Sequence, residues 1–362
     1  MVSNGGVVSA AGVLVGQNAL SIGNRLTVDG GTLRVTNAGG TAVLDIRRGT
    51  NVLNAGLIVA DRLLLTNSAG FFTFNGGTFN VRSATVSNGA LFTVGNGVSG
   101  ATYRMSGTAA SVHSFANNLV IASNATLTGN GTLTGTVTNF GTLNVGSSAG
   151  SIRINGDLRL QSSSMLTFEI GGLIATNQYD QLTVTNFAEL AGTLSLSLLP
   201  SFLPDDSDTF TLLKYNTYSF AFANAADAPG ARVNLSNNLA SFAVTYATGT
   251  GVTLGGVTYV DSDGDGQGDL QEQAAGTDAA VSASAMKVTS LARDGLGQIT
   301  VQFQSVAGKI YRIEYSTNLV TWPIATTNVP ATGTNTTWTD DGSLTGGINA
   351  QILKRFYRVG LQ

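Results

Sequence analysis

Apolar residues alternate with small polar ones along most of the first 260 positions. Residues 129–146 show the pattern best: Leu133, Val137, Leu143 and Val145 are apolar, and Thr, Asn and Gly stand between them. Val137/Asn139 and Leu143/Val145 keep a period of two, the spacing of a strand with one buried face. Asn-Gly and Asn-Phe-Gly end the strands as turns, because Asn and Gly tolerate positive φ. One such unit cannot bury its apolar row alone, so it needs copies stacked on both sides. Copies are present. Leu-Thr-Val-Asp-Gly-Gly-Thr-Leu-Arg-Val at 26–35 matches Phe-Thr-Phe-Asn-Gly-Gly-Thr-Phe-Asn-Val at 72–81, an offset of 46 residues. That is two coils of about 23 residues each, within the range of solenoid repeats.

The pattern predicts an all-β chain: a parallel β-helix (solenoid), then a calcium-loop linker, then a small β-sandwich. Residues 1–146 read as solenoid repeats and 147–258 as the end of the solenoid with a capping sheet. Residues 259–282 read as the cation-binding linker and 283–362 as a C-terminal module. Leu57-Ile58-Val59 and Leu63-Leu64-Leu65 are continuous apolar runs, suited to strands buried on both sides. Phe71, Phe72, Phe74, Phe79 and Phe92 predict a ladder of core rings, with a sugar platform as the alternative. The repeat starts almost at Met1 with no polar cap, and an uncapped solenoid end invites pairing with another chain.

Composition narrows the classes. The 362 residues hold 46 Gly and 5 Pro, and only 11% are charged against 43% hydrophobic. Disorder and collagen are excluded, and β-branched packing is favoured. There is no Cys, so disulfides, thiol catalysis and Cys-ligated zinc are excluded. No run of about 18 apolar residues exists, so no helix is expected to span a membrane. No signal-type leader opens the chain, which reads as a mature or truncated product. Net charge is −3, but residues 1–150 carry seven Arg against three Asp, leaving an acidic remainder. This split suits head-to-tail self-association or contact with anionic glycan, and no dense basic stripe marks a nucleic-acid partner.

The phrase Gly-x-Gly-Thr-Leu-x-Gly-x-Val-x-Asn-x-Gly-Thr-Leu at 129–143 resembles the autotransporter-associated β-strand repeats of large bacterial surface proteins. Gly156-Asp157-Leu158, Tyr179-Asp180-Gln181-Leu182-Thr183-Val184 and Leu190-x-Gly192-Thr193-Leu194 continue the resemblance, which covers roughly residues 1–258. It implies an extracellular β-solenoid and specifies architecture better than activity.

Residues 261–272 read Asp-Ser-Asp-Gly-Asp-Gly-Gln-Gly-Asp-Leu-Gln-Glu. Calcium takes six to eight oxygens, and a twelve-residue loop supplies them from positions 1, 3, 5, 7, 9 and 12, with Gly at 6 for the turn. The spacing assigns Asp261, Asp263 and Asp265 as side-chain ligands and Gln267 through its carbonyl. Asp269 follows, directly or through water, and Glu272 is bidentate. Five carboxylates in twelve residues repel without a cation. The loop resembles those of dockerins and thrombospondin type-3 repeats, entered by a strand and left by a short helix at 269–275 that stops at Gly276. Sites of this kind bind at roughly 10⁻⁴ to 10⁻³ M, which suits the outside of a cell.

Residues 283–362 resemble fibronectin-III-like C-terminal modules, through Tyr-Arg-Ile-Glu-Tyr-Ser at 311–316, Trp322 and Phe-Tyr-Arg-Val at 356–359. Trp322 and Trp338 are read as core anchors, with sugar stacking as the alternative. Catalysis needs converging carboxylates or a nucleophile with a base. Asp29, Asp45 and Asp61 are spaced out of step with the coil. Glu169, Asp180 and Glu189 read as single solvated edge residues, and His113 as a satisfied polar residue. The expectation is a secreted, non-catalytic structural protein of a bacterial cell surface, self-assembling into a fibre or layer. An adhesin contacting surface glycans is the alternative, and a β-helix polysaccharide lyase or glycosidase a further one.

Overall fold

The computed structural model describes residues 1–20, 23–200, 202–347 and 354–362. The chain divides into two compact units, Met1–Thr258 and Tyr259–Gln362. The first is a solenoid-like body of stacked parallel strands. One stack runs through Arg25–Val35, Gly49–Leu65, Gly77–Val86 and Ala101–Met105. It continues through Ala125–Gly129, Thr142–Val145, Met165–Ile170 and Thr193–Leu198. A second face stacks Val112–Phe115, Gly131–Thr134, Ser151–Asn155 and Gln181–Val184. A smaller sheet of six short parallel strands runs from Phe92–Val94 to Thr217–Ser219.

The registers explain the repeat. Thr32 pairs with Leu57 and Leu57 with Thr78, so the matching phrases at 26–35 and 72–81 lie two coils apart. Thr78, Thr102 and Thr126 follow at steps of 24, and the next coil, Thr126 to Thr142, takes only 16. Corners absorb the difference while the strands stay aligned. At Gly129, φ is +109° and a Cβ would collide with the Met105 carbonyl one coil below, so only glycine fits.

Alternation places one set of side chains inside. Phe79, Tyr103, Leu127, Leu143, Leu166 and Leu194 stand in one buried column, each in register with the next. Each fully buried side chain of this kind contributes about 1.5–3 kcal/mol. The ring ladder is present: Phe72 lies 5.1 Å from Phe79, Phe79 lies 5.6 Å from Tyr103, and Phe92 lies 5.2 Å from Phe115. Phe71 does not join it and is 47% exposed. The apolar runs at 57–59 and 63–65 are not buried on both sides. Ile58, Leu63 and Leu65 are inside, while Leu57, Val59 and Leu64 face outward and are half-buried. Buried Asn139 satisfies itself, with its amide bonded both ways to the Gly141 backbone at 3.0 and 3.1 Å. The parallel run ends where Phe210–Lys214 meets Gly251–Tyr259 antiparallel. Arg232–Asn234 likewise meets Ala240–Ala247 antiparallel.

Among its described residues the second unit holds one helix, Asp269–Ala275, and two three-stranded antiparallel sheets. Ile299–Gln304 is central in one sheet and Ile310–Ser316 in the other. Val301, Phe303, Tyr311, Ile313 and Val329 form its core, with Trp338 packed against them. Trp322 instead lies under the Arg358 guanidinium, 4.0 Å from ring centroid to Cζ. A buried polar knot ties Asp340, Thr345, Arg355 and Tyr357 together. Asp340 accepts from Thr345, Arg355 and Tyr357, the last at 2.6 Å. Burial opposes the Asp340 charge, but these donors outweigh it and hold the carboxyl below its ordinary range. No helix among the described residues is long and apolar enough to cross a membrane.

Candidate metal centre

The loop at 261–268 curls around its own carboxylates. Asp261 accepts from Gly264 N at 2.8 Å with Oδ1 and from Gly266 N at 2.9 Å with Oδ2. Asp263 Oδ1 accepts from Asp265 N at 3.2 Å, and Asp265 Oδ1 from Gln267 N at 2.8 Å. Each bond reaches forward along the backbone, which is how Asx side chains close turns. Gly266 has φ +92°, the left-handed turn expected at the sixth position. Ligand oxygens of Asp261, Asp263 and Asp265 lie within 4.8 Å of one another, so the cluster can hold a metal ion.

The helix Asp269–Ala275 carries the next predicted ligand, Glu272, whose carboxylate lies outside the group of Asp261, Asp263 and Asp265 oxygens within 4.8 Å of one another. Gly268 N donates to Gln271 Oε1 at 2.8 Å, which fixes the first turn. Gly276, in the left-handed conformation, donates to Glu272 O at 2.7 Å and closes the last. Glu272 between them is fully buried, and neither of its carboxylate oxygens has a hydrogen-bond partner. Asp263 Oδ2 and Asp265 Oδ2 are also buried without hydrogen bonds. The nearest positive group is Lys287 Nζ, 3.8 Å from Asp265 Oδ2, a long contact with a half-exposed ammonium. Burial pushes the Glu272 carboxyl up against the opposing pull of the Thr277 side chain, and the charges of Asp263, Asp265 and Asp269 add to the rise.

Two of the expected ligand residues have side chains bonded within the unit. Asp269 turns to Ser262, accepting from its amide at 2.8 Å and its hydroxyl at 2.6 Å. The hydroxyl bond, with the amide bond, holds this carboxyl below its ordinary range. Gln267 sends its side chain to Met286, whose amide donates to Oε1 at 2.8 Å. The ligand role expected of Gln267 rests on its carbonyl, not on this side chain.

The other acidic candidates do not converge. Asp45 pairs with Arg47 at 2.8 Å, while Asp61 is buried and accepts from the amides of Asn37 and Ala42. Asp180 is not a solvated edge residue. It is fully buried and accepts from Gly150 N at 2.8 Å and Glu169 N at 2.7 Å. Burial raises its carboxyl to about 7, against the opposing pull of those two amides. His113 is buried, with Nδ1 2.8 Å from the Tyr103 hydroxyl and Nε2 without a partner. Burial lowers its pKa to about 4. Sequence pattern alone missed the roles of Asp180 and of the Asp340–Arg355 pair, whose partners lie 11 to 30 residues away. No protein-family model, no curated protein and no solved structure matches the chain, so the centre is read from its own donor geometry.

Proposed function

We propose that the chain is a secreted, non-catalytic structural component of a bacterial cell surface, a β-solenoid scaffold followed by a calcium-braced β-sandwich module. The observation that carries this reading is the set of four buried carboxylate oxygens without hydrogen-bond donors, on Glu272, Asp263 and Asp265. Uncompensated buried charge is costly, and a hard divalent cation is the group that offsets several carboxylates at once. Asp261, Asp263, Asp265 and Glu272 hold the ion, with the Gln267 carbonyl and Asp269, through water, completing the shell. Calcium at extracellular concentration meets the affinity of such loops, which supports a location outside the cell.

The stack of registered coils supports the mechanical part of the reading. Each coil shields its neighbours' apolar row, which suits length and stiffness. Self-association into a fibre or layer is the expected assembly. The test is titration of purified protein with Ca²⁺, followed by electron microscopy and sedimentation. Binding lost in Asp261→Ala/Asp265→Ala, with protection of residues 259–282 from protease only when calcium is present, supports the brace. Equal cleavage there with calcium and with chelator removes it. Only monomers at high concentration with calcium defeat the assembly.

A further inference from the structure

The first unit carries a concave feature that the cation loop does not involve. On the face that ends at Thr193–Leu198, outward side chains stand in registered columns. Thr78, Thr102, Thr126 and Thr142 make one column. Asn80, Arg104, Thr128, Asn144 and Thr167 make the next. Neighbouring strands are ~4.8 Å apart, so hydroxyl and amide groups recur on that spacing along the stack.

Two cavities lie over this face. The first, of about 400 Å³, is floored by Arg104, Thr128 and Asn144 and walled by residues 146–148 and Glu169. The second, of about 330 Å³, is floored by Met165, Thr193 and Ser195 and walled by Arg232, Asn234 and Asn238. Asn144 registers with Thr167 and Thr167 with Ser195, so the two floors occupy successive strands. From the Arg104 strand to the Ser195 strand the row covers roughly 19 Å at ~4.8 Å per strand.

Both walls are fixed from within. Gly146 and Gly129 exchange two backbone hydrogen bonds of 3.1 Å, and Asp180 anchors the far end of that loop through Gly150 N. On the other side, Arg232 donates to Ser241 Oγ at 2.9 Å and to Gly256 O at 2.7 Å. Asn224 bonds both ways to the Leu194 backbone at 2.9 and 2.8 Å. The hollows are thus built rather than left by loose loops.

We infer that this face binds an extended polysaccharide lying along the stack axis across both hollows. Hydroxyl and amide floors match the donor and acceptor hydroxyls of sugars. A peptide is disfavoured, because the strand backbones are already bonded to the coils on both sides, and of the apolar lining residues of the second hollow Leu194 and Leu235 are buried, leaving Met165 exposed as an anchor. A nucleic acid is disfavoured, because the first hollow is lined by one cation, Arg104, together with the acidic Glu169. Lipids and drug-like molecules need a mostly apolar lining.

The test is electrophoresis through gels cast with soluble xylan, mannan, mixed-linkage β-glucan, polygalacturonate or alginate. Retardation by at least one of these is expected. Thr128→Val/Asn144→Leu should weaken it about tenfold, and Thr132→Val/Thr134→Val on the adjoining face should leave it unchanged. Circular dichroism checks that each variant is folded. If the groove variant does not fold, Ser147→Trp at the exposed rim is expected to block the hollow and abolish retardation. No retardation by any of the five, or equal loss in both double variants, overturns the inference. Either result leaves the structural reading above intact, since stacking and calcium binding are measured separately.

Discussion

In the first unit an interior strand bonds to the coil before it and the coil after it, whereas in the second each sheet has one central strand and two edges. The first buries long columns of aliphatic and aromatic side chains. The second rests on a core cluster of five buried residues and on charged devices, the Asp340 knot and the acidic loop. A stack gains stability by repetition, so no single contact decides it. A small module lacks the interior volume for that and depends on particular polar contacts. The two units should therefore fail differently.

The largest effect is expected in the second unit. Asp340→Ala strands the buried Arg355 guanidinium, which is 3% exposed. Removing one partner of such a pair costs about 3–5 kcal/mol. Calorimetry should show the second unit's transition collapse while the first unit's stays in place. Equal shifts in both would break the comparison.

A core truncation in the stack is expected to come next. Leu143→Ala removes a fully buried side chain, at about 2–5 kcal/mol. Hydrogen exchange should show the loss concentrated in the coils beside it, with the far coils still protected. Uniform loss of protection would mean that the stack behaves as one cooperative block.

Acid should act on the stack through His113. Its folded pKa, about 4, lies below the ordinary 6.5, so the neutral form is favoured in the folded state. That contribution, on the order of 3 kcal/mol, is present above pH 6.5 and lost as pH falls towards 4. Asp180 has the opposite sign: its folded value, about 7, lies above the ordinary 3.8, so its contribution is full below 3.8 and lost as pH rises through 7. The two offset one another in the wild type. Denaturant melts of Asp180→Asn should show stability rising with pH between 4 and 6.5, and His113→Phe should show it falling. Parallel profiles in the two variants would refute this assignment.

The smallest expected effect is that of calcium on the second unit. At a free ion concentration ten times Kd, linkage contributes about 1.4 kcal/mol. Thermal melts with calcium and with chelator should differ in the second unit's transition alone, and Glu272→Gln should remove most of the difference.

The solenoid-like body was legible because strand alternation and turn residues are local signals, repeated in each coil. The acidic loop was legible for a related reason: its spacing is itself the geometry. Burial on one side only of Leu57 and Val59 was not legible, since a continuous apolar run hides which face looks inward. Asp180 was misread because its partners, Gly150 and Glu169, are contributed by other strands and corners. The Asp269 bonds to the Ser262 amide and hydroxyl were not legible, because spacing alone does not show which donors a carboxylate meets. The Asp340 knot was missed entirely: its members sit in a stretch without period, and only the folded sheets bring Tyr357 to Asp340.

The short coil from Thr126 to Thr142 shows that a rung keeps its alignment at two-thirds the usual contour. Reach in such a molecule is therefore an integer quantity. Duplicating or deleting one rung by recombination moves its ends by a single ~4.8 Å increment and leaves the remaining surfaces chemically identical. Descendants of this gene can thus differ in length without any change to the faces they present.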